Sequence, residues 1–391
     1  LNYILCMKKF SIITLSLVTS MTALFAVEDM VVNITEETSR DNYYVLENPV
    51  GFIEQNFTVN VSGGTYQTIR GAYYTADTIN NFDGMKGNFT YNITGGTIST
   101  GLYMGLAPDY MSDYRHEKTL EGNLTVNVYG GNIKTISTNA NIDKFTGDVY
   151  VNIHAGAVVD TIGTSQTHIG NYNVFIDGGN VRYIGLGTTE REGVATVTLV
   201  GRPEGLDFVS GADTVYIGND SQAFSGSVGT LVSANDAVYI SDNSTITTGR
   251  ITSNKLYVGE NADVTLTLSN NYYEREWYIS SSAKISGKPE LCFGDGRREN
   301  FILNIVLDED FDATSLNLSD IFEDTITFSG TMDETNFSLL DHNGNKLEGF
   351  ELTKDETGSY IINNIVVPEP ATHAAIFGAL ALAFAAYRRR K

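Results

Sequence analysis

Cysteine is nearly absent from this chain of 391 residues, which contains only Cys6 and Cys292. Cys6 lies in an N-terminal stretch that we expect to be removed, so no internal disulfide is predicted to hold the fold. Proline occurs six times and tryptophan once. A chain of this length can build a large core, so we expect burial and hydrogen bonding to stabilise it without disulfides.

Positive charge is also scarce, because 25 Lys and Arg residues stand against 47 Asp and Glu, a net charge of −22. Six of the 25 cations lie in terminal segments that we expect to be processed, namely Lys8, Lys9, Arg388, Arg389, Arg390 and Lys391. Without them, 19 cations remain against 47 acids, a net charge of −28. Such a surface repels nucleic acid and anionic lipid, so the mature protein is predicted to bind neither.

The common patterns of catalytic and metal sites are missing as well. The five histidines show no metal-ligand spacing, and the sequence has no paired cysteines, no HExxH arrangement, no Gly-x-Ser-x-Gly elbow and no phosphate-binding loop. We therefore predict a protein that is not an enzyme and that has no catalytic residue, no cofactor and no metal site. Structural calcium at the acidic residues of 308–312 is a weaker alternative.

The middle of the chain repeats one pattern. Five segments share it, and they begin at Asn56, Asn88, Asn123, Asp148 and Asn171. Each segment contains a Gly-Gly or Ala-Gly pair, whose second residue is Gly64, Gly96, Gly131, Gly156 or Gly179. These glycines are 32, 35, 25 and 23 residues apart. A repeat in this range indicates a solenoid.

The chemistry of one repeat predicts the shape of the coil. Apolar residues alternate with polar ones from Phe57 to Ser62, which places the two sets on opposite faces of a strand. A Gly-Gly corner and a second short apolar pair follow. Parallel stacking would align Val59, Tyr91, Val126 and Val151 as interior ladders. The predicted fold class is thus all-β, a right-handed parallel β-helix. A β-propeller is the main rival, and an antiparallel sandwich is a weaker one.

One polar position recurs as Asn60, Asn92, Asn127 and Asn152. A row of asparagines could bind a ligand, or the amides could bond to one another along the stack. We favour the ladder, since aligned amides in stacked strands form it without any ligand.

Later segments show the repeat in a degraded form, with Val-Tyr-Ile at 215–217 and 238–240 and Leu-Tyr-Val at 256–258. The predicted organisation is an N-terminal cap at 27–50, solenoid repeats at 51–289 and a small C-terminal β cap at 290–366. Within that cap, Asn343-Gly344 is a hairpin signal. The cap would protect the open end of the solenoid against edge pairing.

The first repeats carry insertions that are rich in aromatic residues, and such insertions often bind partners. The candidate glycan-binding residues are Tyr73, Tyr74, Tyr103, Tyr110 and Tyr114, because tyrosine rings stack well on sugars. The alternative is that these rings cover the end of the solenoid. A second alternative site is Asp160, Asp177 and Arg182, at neighbouring repeat positions, where a β-helix lyase or glycosidase would place its catalytic groups. Solenoid faces carry such charges routinely.

The N-terminus predicts a secretory signal peptide over residues 1–26, with the true start at Met7. A short basic region precedes an apolar stretch, and Ala26 is a small residue at the expected cleavage point.

The C-terminus, 367–391, has three ordered features. Val367-Pro368-Glu369-Pro370 forms a stiff extended handle, an apolar run suited to a short transmembrane helix follows, and Arg388, Arg389, Arg390 and Lys391 end the chain. This tail resembles the PEP-CTERM sorting signal of Gram-negative bacteria. The resemblance implies recognition and cleavage by an exosortase, a membrane-embedded cysteine enzyme. An ordinary membrane anchor is the alternative, although it usually needs about 20 apolar residues.

The repeat region also resembles the passenger regions of bacterial autotransporters and related adhesins. Together the two resemblances imply an exported, non-enzymatic protein. It would be anchored in the membrane as a precursor, and would then reach the cell surface or extracellular matrix as an adhesin or spacer. Its expected partners are an exosortase and an extracellular polysaccharide of the biofilm. The alternative is a polysaccharide-degrading β-helix enzyme delivered by the same tail.

Overall fold

The structure is a computed structural model that describes residues 29–75, 77–106, 118–138, 144–164, 167–187, 190–269, 271–272, 275–293, 301–323, 325–356 and 358–366. It is all-β, with 62% strand and no α-helix in these ranges. Short 3-10 helices occur at Glu36–Thr38, Ile79–Asn81 and Leu318–Asp320. Nearly all strand pairs are parallel, as a solenoid requires, which confirms the β-solenoid architecture. The described residues of 1–150, 165–170 and 189–192 form one compact unit, and those of 151–164, 171–188 and 193–366 form another.

The first unit is built from three columns of parallel strands. Column A contains Met30–Ile34, Phe57–Val61, Phe89–Ile93 and Leu124–Val128. Column B contains Arg40–Glu47, Thr65–Tyr73, Thr97–Leu106 and Gly131–Ser137. Column C contains Gly51–Glu54, Phe82–Lys86, Thr119–Glu121, Lys144–Thr146, Thr167–Ile169 and Glu190–Glu192. Along the chain, each coil visits column A, then column B, then column C.

The predicted interior ladders of column A are confirmed. Val59, Tyr91 and Val126 stand in register, and each is fully buried. The hydroxyl of Tyr91 donates to the carbonyl of Met104 in column B at 2.8 Å, which satisfies its polar atom inside the core. The rings of Phe57 and Phe89 stack with centroids 4.8 Å apart. Burying one such side chain contributes roughly 1.5–3 kcal/mol, so these ladders are the main source of stability in the unit.

The polar face of column A carries the predicted asparagine ladder. Asn60 donates from Nδ2 to Oδ1 of Asn33 at 3.0 Å, Asn92 donates to Asn60 at 3.1 Å, and Asn127 donates to Asn92 at 3.0 Å. The amides therefore bond along the stack, as the repeat position indicates. Asn152 lies outside this unit, in the strand Val149–Ile153.

The predicted glycine corners between columns A and B are also confirmed. Gly64, Gly96 and Gly131 all have positive φ, at 89°, 92° and 92°. A Cβ at Gly96 would lie 2.9 Å from the carbonyl oxygen of Gly63 in the coil below, so the stack closes over the corner only with glycine there.

The second unit continues the parallel pattern with three further columns. Column D contains the end of Val149–Ile153, Tyr172–Ile176, Ala195–Leu199, the ends of Phe208–Ile217 and Ser225–Ile240, Lys255–Val258, Glu276–Ser280, Ile302–Val306 and Phe337–Leu340. Column E contains Ala157–Gly163, Asn180–Gly185, the start of Phe208–Ile217, the middle of Ser225–Ile240 and the end of Thr245–Thr252. Column F contains the starts of Ser225–Ile240 and Thr245–Thr252, then Asp263–Leu266 and Lys284–Gly287.

Two small sheets complete the second unit. Asn271–Tyr272, Glu290–Phe293 and Thr327–Gly330 pair in parallel. Ser315–Asn317, Tyr360–Asn363 and Glu351–Lys354 form the antiparallel sheet of the described residues. The predicted hairpin at 339–347 is present, since the amide of Leu347 donates to the carbonyl of Leu339 and Gly344 has a φ of +80°.

Strands of the stack also occur within the two stretches that the sequence assigned to caps. Met30–Ile34 lies in the stretch 27–50 assigned to a cap, yet it pairs in parallel and in register with Phe57–Val61. At the other end, Ile302–Val306 and Phe337–Leu340 extend column D well past residue 289. Irregular insertions of differing length separate these last strands, which hides the repeat in the sequence although the strands still stack.

Candidate functional site

Four tyrosines form an aromatic ladder on the outer face of column D. Tyr216, Tyr239, Tyr257 and Tyr278 occupy the same register position in successive strands. Their ring centroids are 5.0, 4.6 and 4.7 Å apart, with interplanar angles of 16°, 4° and 10°. The spacing follows from the distance between neighbouring strands in a sheet, about 4.8 Å, so the backbone stack itself aligns the rings.

Strand alternation explains why these rings face outward. In each strand the tyrosine sits between two core residues, for example Leu256 and Val258 around Tyr257, and these neighbours are 1% and 4% exposed. Tyr216 is 39% exposed, while the other three rings are half-buried against one another. Partial burial raises the pKa of Tyr239, Tyr257 and Tyr278. The phenols therefore stay protonated at neutral pH. The hydroxyl of Tyr278 donates to Oε1 of Glu276 at 2.6 Å and can still accept a hydrogen bond.

The ring faces of the ladder are largely covered. Inside the stack each ring face is covered by the next ring, so a ligand alongside meets ring edges and hydroxyls. At one end, the register places Asn304 rather than another ring beside Tyr278. The side chain of Asn304 is buried and donates to the carbonyl of Trp277 at 3.2 Å. At the other end Thr198 stands beside Tyr216. The ladder therefore presents ring edges and hydroxyls to a ligand.

Carboxylates line the same groove as these tyrosines, and the groove has a volume of about 670 Å³. Asp242 lies three residues after Tyr239, and Glu260 lies three residues after Tyr257. Asp308 lies two residues after the column D strand Ile302–Val306. We call the groove formed by these three acids and the four tyrosines the tyrosine groove. His342 also lines it, on an exposed hairpin loop.

The carboxylates of the tyrosine groove repel one another. Burial raises the pKa of Glu260, and the negative charges of Asp308, Asp242, Asp310 and Glu309 raise it further. Asp242 and Asp308 have local roles as well: Asp242 accepts from the amide of Glu260 at 2.8 Å, and Asp308 accepts from the hydroxyl of Ser280 at 2.5 Å. The groove is thus a site of concentrated negative potential.

Of the glycan-binding residues predicted from the insertions, the structure describes Tyr73, Tyr74 and Tyr103, and it buries Tyr74. Tyr74 is only 1% exposed and packs against Phe82. Tyr73 stacks on Tyr44 with centroids 4.0 Å apart. Tyr103 is half-buried, and the guanidinium of Arg70 lies 5.4 Å from its ring centre. Tyr110 and Tyr114 lie outside the described residues.

Of the three residues of the predicted alternative catalytic site, Arg182 and Asp160 pair with each other, while Asp177 pairs with His154, which was not part of the prediction. Nδ1 of His154 lies 2.9 Å from Oδ2 of Asp177. Arg182 lies 3.6 Å from Oδ1 of Asp160 and extends over the ring of Tyr183. Each of these charged groups thus has a nearby partner.

The remaining predictions concern a metal site, the sorting motif, the signal peptide and a membrane helix. In the described ranges, no three His, Cys, Asp or Glu side chains come together in a way that could hold a metal ion. The sorting motif Val367, Pro368, Glu369 and Pro370, the terminal cations 388–391 and the predicted signal peptide 1–26 lie outside the described residues. Within the part of the chain that the structure describes, no helix has the length and apolarity that a membrane span requires.

Comparison of the chain with protein-family models, with curated proteins and with solved structures finds no match.

Sequence reasoning missed the tyrosine groove, although part of its signal is visible. Tyrosine recurs in three consecutive degraded repeats, and in two of them an acidic residue follows three positions later. Tyr278 belongs to the same series, but Trp277 replaces the usual aliphatic residue before it. Asp308 has no sequence signal at all, because only the pairing of Glu276–Ser280 with Ile302–Val306 brings it near Glu260.

Proposed function

We propose that this protein is an exported, non-enzymatic component of the bacterial cell surface or extracellular matrix. We propose that its solenoid is a right-handed parallel β-helix with the antiparallel sheet as its C-terminal cap. The solenoid serves as a stiff acidic spacer or adhesin that associates with exopolysaccharide. Right-handed crossovers are the rule for parallel strands. The observation that carries the association is the tyrosine groove, which presents hydroxyls, ring edges and carboxylates along successive coils.

The route to the surface rests on the two ends of the sequence. The signal-peptide pattern before residue 27 supports export, and the Pro-Glu-Pro handle with its apolar run and terminal cations supports anchoring and exosortase processing. The test is the mass of the mature C-terminus in cells with and without a functional exosortase. We expect a truncated C-terminus only when the enzyme is present. An identical, intact C-terminus in both strains would contradict the sorting proposal.

Binding is tested separately from sorting. The purified secreted protein is incubated with polysaccharide isolated from the matrix of the same cells, and retention is measured by co-sedimentation. We expect retention of the wild type and reduced retention of a variant with Tyr278→Leu, while Tyr150→Leu serves as control because Tyr150 is an exposed tyrosine outside the groove. Equal retention of all three proteins would exclude the groove as the binding surface.

A second candidate function is polysaccharide cleavage, favoured by one observation. His154 and Asp177 form a close pair, and Asp177 also lines a separate groove with Arg202 and Glu204. A histidine oriented by a carboxylate is a common general base. New reducing ends or unsaturated products from a panel of polysaccharides, abolished by His154→Gln, would establish an enzyme and replace the first proposal.

A further inference from the structure

We propose that the tyrosine groove selects a glycan that carries free amino groups. This inference rests on the proposed function and names the class of polysaccharide with which the surface protein associates.

The electrostatics of the groove favour a positively charged occupant. Asp242, Glu260 and Asp308 line the groove, and the pKa of Glu260 is raised by burial and by the negative charges of its acidic neighbours. An ammonium group placed between these carboxylates would form charge-assisted hydrogen bonds and relieve their mutual repulsion. Such hydrogen bonds are roughly twice as strong as neutral ones.

The same charges disfavour the acidic glycans. A uronic acid or a sulfated sugar would bring a like charge to within a few ångströms of Glu260, where the interaction is unfavourable at any dielectric constant. The whole chain adds to this repulsion, because it is strongly acidic outside its terminal cations.

The tyrosines favour a sugar polymer over a simple polycation. Each coil from Phe208–Ile217 to Glu276–Ser280 contributes one phenol, and the rings follow one another at 4.6–5.0 Å. A chain of sugars along the groove would meet one phenol hydroxyl per coil. A polyamine can use the carboxylates, but it has no hydroxyls to pair with the phenols.

The test compares two ligands that differ only in the amine. Binding of the purified secreted protein to β-1,4-linked glucosamine oligosaccharides is measured by calorimetry at low salt and mildly acidic pH, where the amines are protonated, beside N-acetylglucosamine oligosaccharides of equal length. We expect the acetylated ligand to bind at least about tenfold more weakly, since about 1.4 kcal/mol corresponds to each factor of ten. Equal affinities for the two ligands would overturn the inference.

Two matched pairs of variants locate the effect. Glu260→Gln should weaken binding of the amino ligand and leave the acetylated one unchanged, while Glu37→Gln, at an exposed acid in the first unit, should change neither. Tyr278→Leu should weaken both ligands, and Tyr150→Leu should weaken neither. Circular dichroism and the Tm of each variant check that it folds. A Glu260→Gln protein that binds the amino ligand as tightly as the wild type would contradict the assignment.

Competition with spermine separates the remaining possibilities. We expect the oligosaccharide to bind more tightly than spermine, because the tyrosines add contacts that charge alone does not supply. If spermine binds as tightly, the groove is a cation site and the inference is overturned, while export and sorting stand. If no glycan binds and the intact chain stays in the cytosol, the proposed function fails together with the inference.

Discussion

Individual glycines control how closely the coils of the first unit can stack. Gly87, Gly122, Gly147 and Gly170 form a column at the corner after column C, each with a φ between 139° and 150°. A Cβ on Gly122 would lie 2.2 Å from the carbonyl oxygen of Gly87, a distance that no real Cβ tolerates. The residues of this corner therefore have two reasons to be glycine: the backbone conformation and the close approach of the neighbouring coil.

Replacing Gly122 by alanine should strongly destabilise the protein. The unfavourable backbone conformation alone costs about 1–3 kcal/mol, and the contact with Gly87 adds to that cost. Urea unfolding midpoints of Gly122→Ala and of the control Gly185→Ala measure the effect, because a Cβ on Gly185 meets nothing within 4 Å. Equal midpoints for the two variants would show that the corner is not packed in this way.

A buried histidine makes the first unit sensitive to acid. His168 is 2% exposed, stacks on Phe145 and donates from Nε2 to the carbonyl of Gly147 at 2.7 Å. Burial lowers its pKa, and the charge of Arg191 lowers it further, while the bond to Gly147 and the charge of Asp148 oppose the shift. Because the folded-state pKa lies below the unfolded value of about 6.5, the unfolded chain binds the proton more readily.

The stability that neutral His168 contributes should thus be present above pH 6.5 and lost as the pH falls through the folded-state pKa. His168→Gln keeps a donor for Gly147 but cannot titrate. We expect the Tm of the wild type to fall relative to that of the variant as the pH is lowered from 7 to about 5. A difference that is constant over this range would show that His168 does not titrate on unfolding.

At the scale of the element, the asparagine ladder of column A connects successive coils. Asn92 both donates to Asn60 and accepts from Asn127, so each amide depends on the coils on either side. A second row reinforces the stack, because Oδ1 of Asn88 accepts from the backbone amide of Asn123 at 2.7 Å. These polar rows add to the register that the buried, alternating apolar face of each strand already specifies.

Asn92→Ala should lower the free energy of unfolding by about 1–3 kcal/mol, since it removes two hydrogen bonds of about 0.5–1.5 kcal/mol each. Thr90→Ala, an outward-facing change in the same strand, is the control and should cost less. Thermal unfolding of both variants measures the difference. A loss no larger than that of the control would mean that the ladder contributes little to stability.

At the scale of the whole molecule, the excess of negative charge sets the response to ions. Carboxylates outnumber cations along the chain, so self-repulsion opposes folding and is screened by salt. We expect screening of this repulsion to account for the effect of added salt on the fold.

We therefore expect the Tm to rise as NaCl increases from about 0.01 M to about 0.1 M, where the Debye length falls from about 30 Å to about 10 Å. At matched ionic strength, CaCl₂ with and without a chelator should give the same Tm. A Tm that drops on chelation would instead support the weaker alternative of a calcium-dependent adhesin.

The sequence by itself determined the local features of this protein. Period-two alternation placed Val59 and Tyr91 inside, recurrent Asn60 and Asn92 indicated an amide ladder, and the glycine pairs marked the corners, because each of these properties is encoded within a few consecutive residues. The tertiary structure alone decided how far the stack extends and where the groove lies. Asp308 and Glu260 are 48 positions apart in sequence, and strand pairing brings them together across insertions that obscure the repeat. Alternation is a property of one strand, whereas the groove depends on the register between strands, which is fixed only when the coils stack.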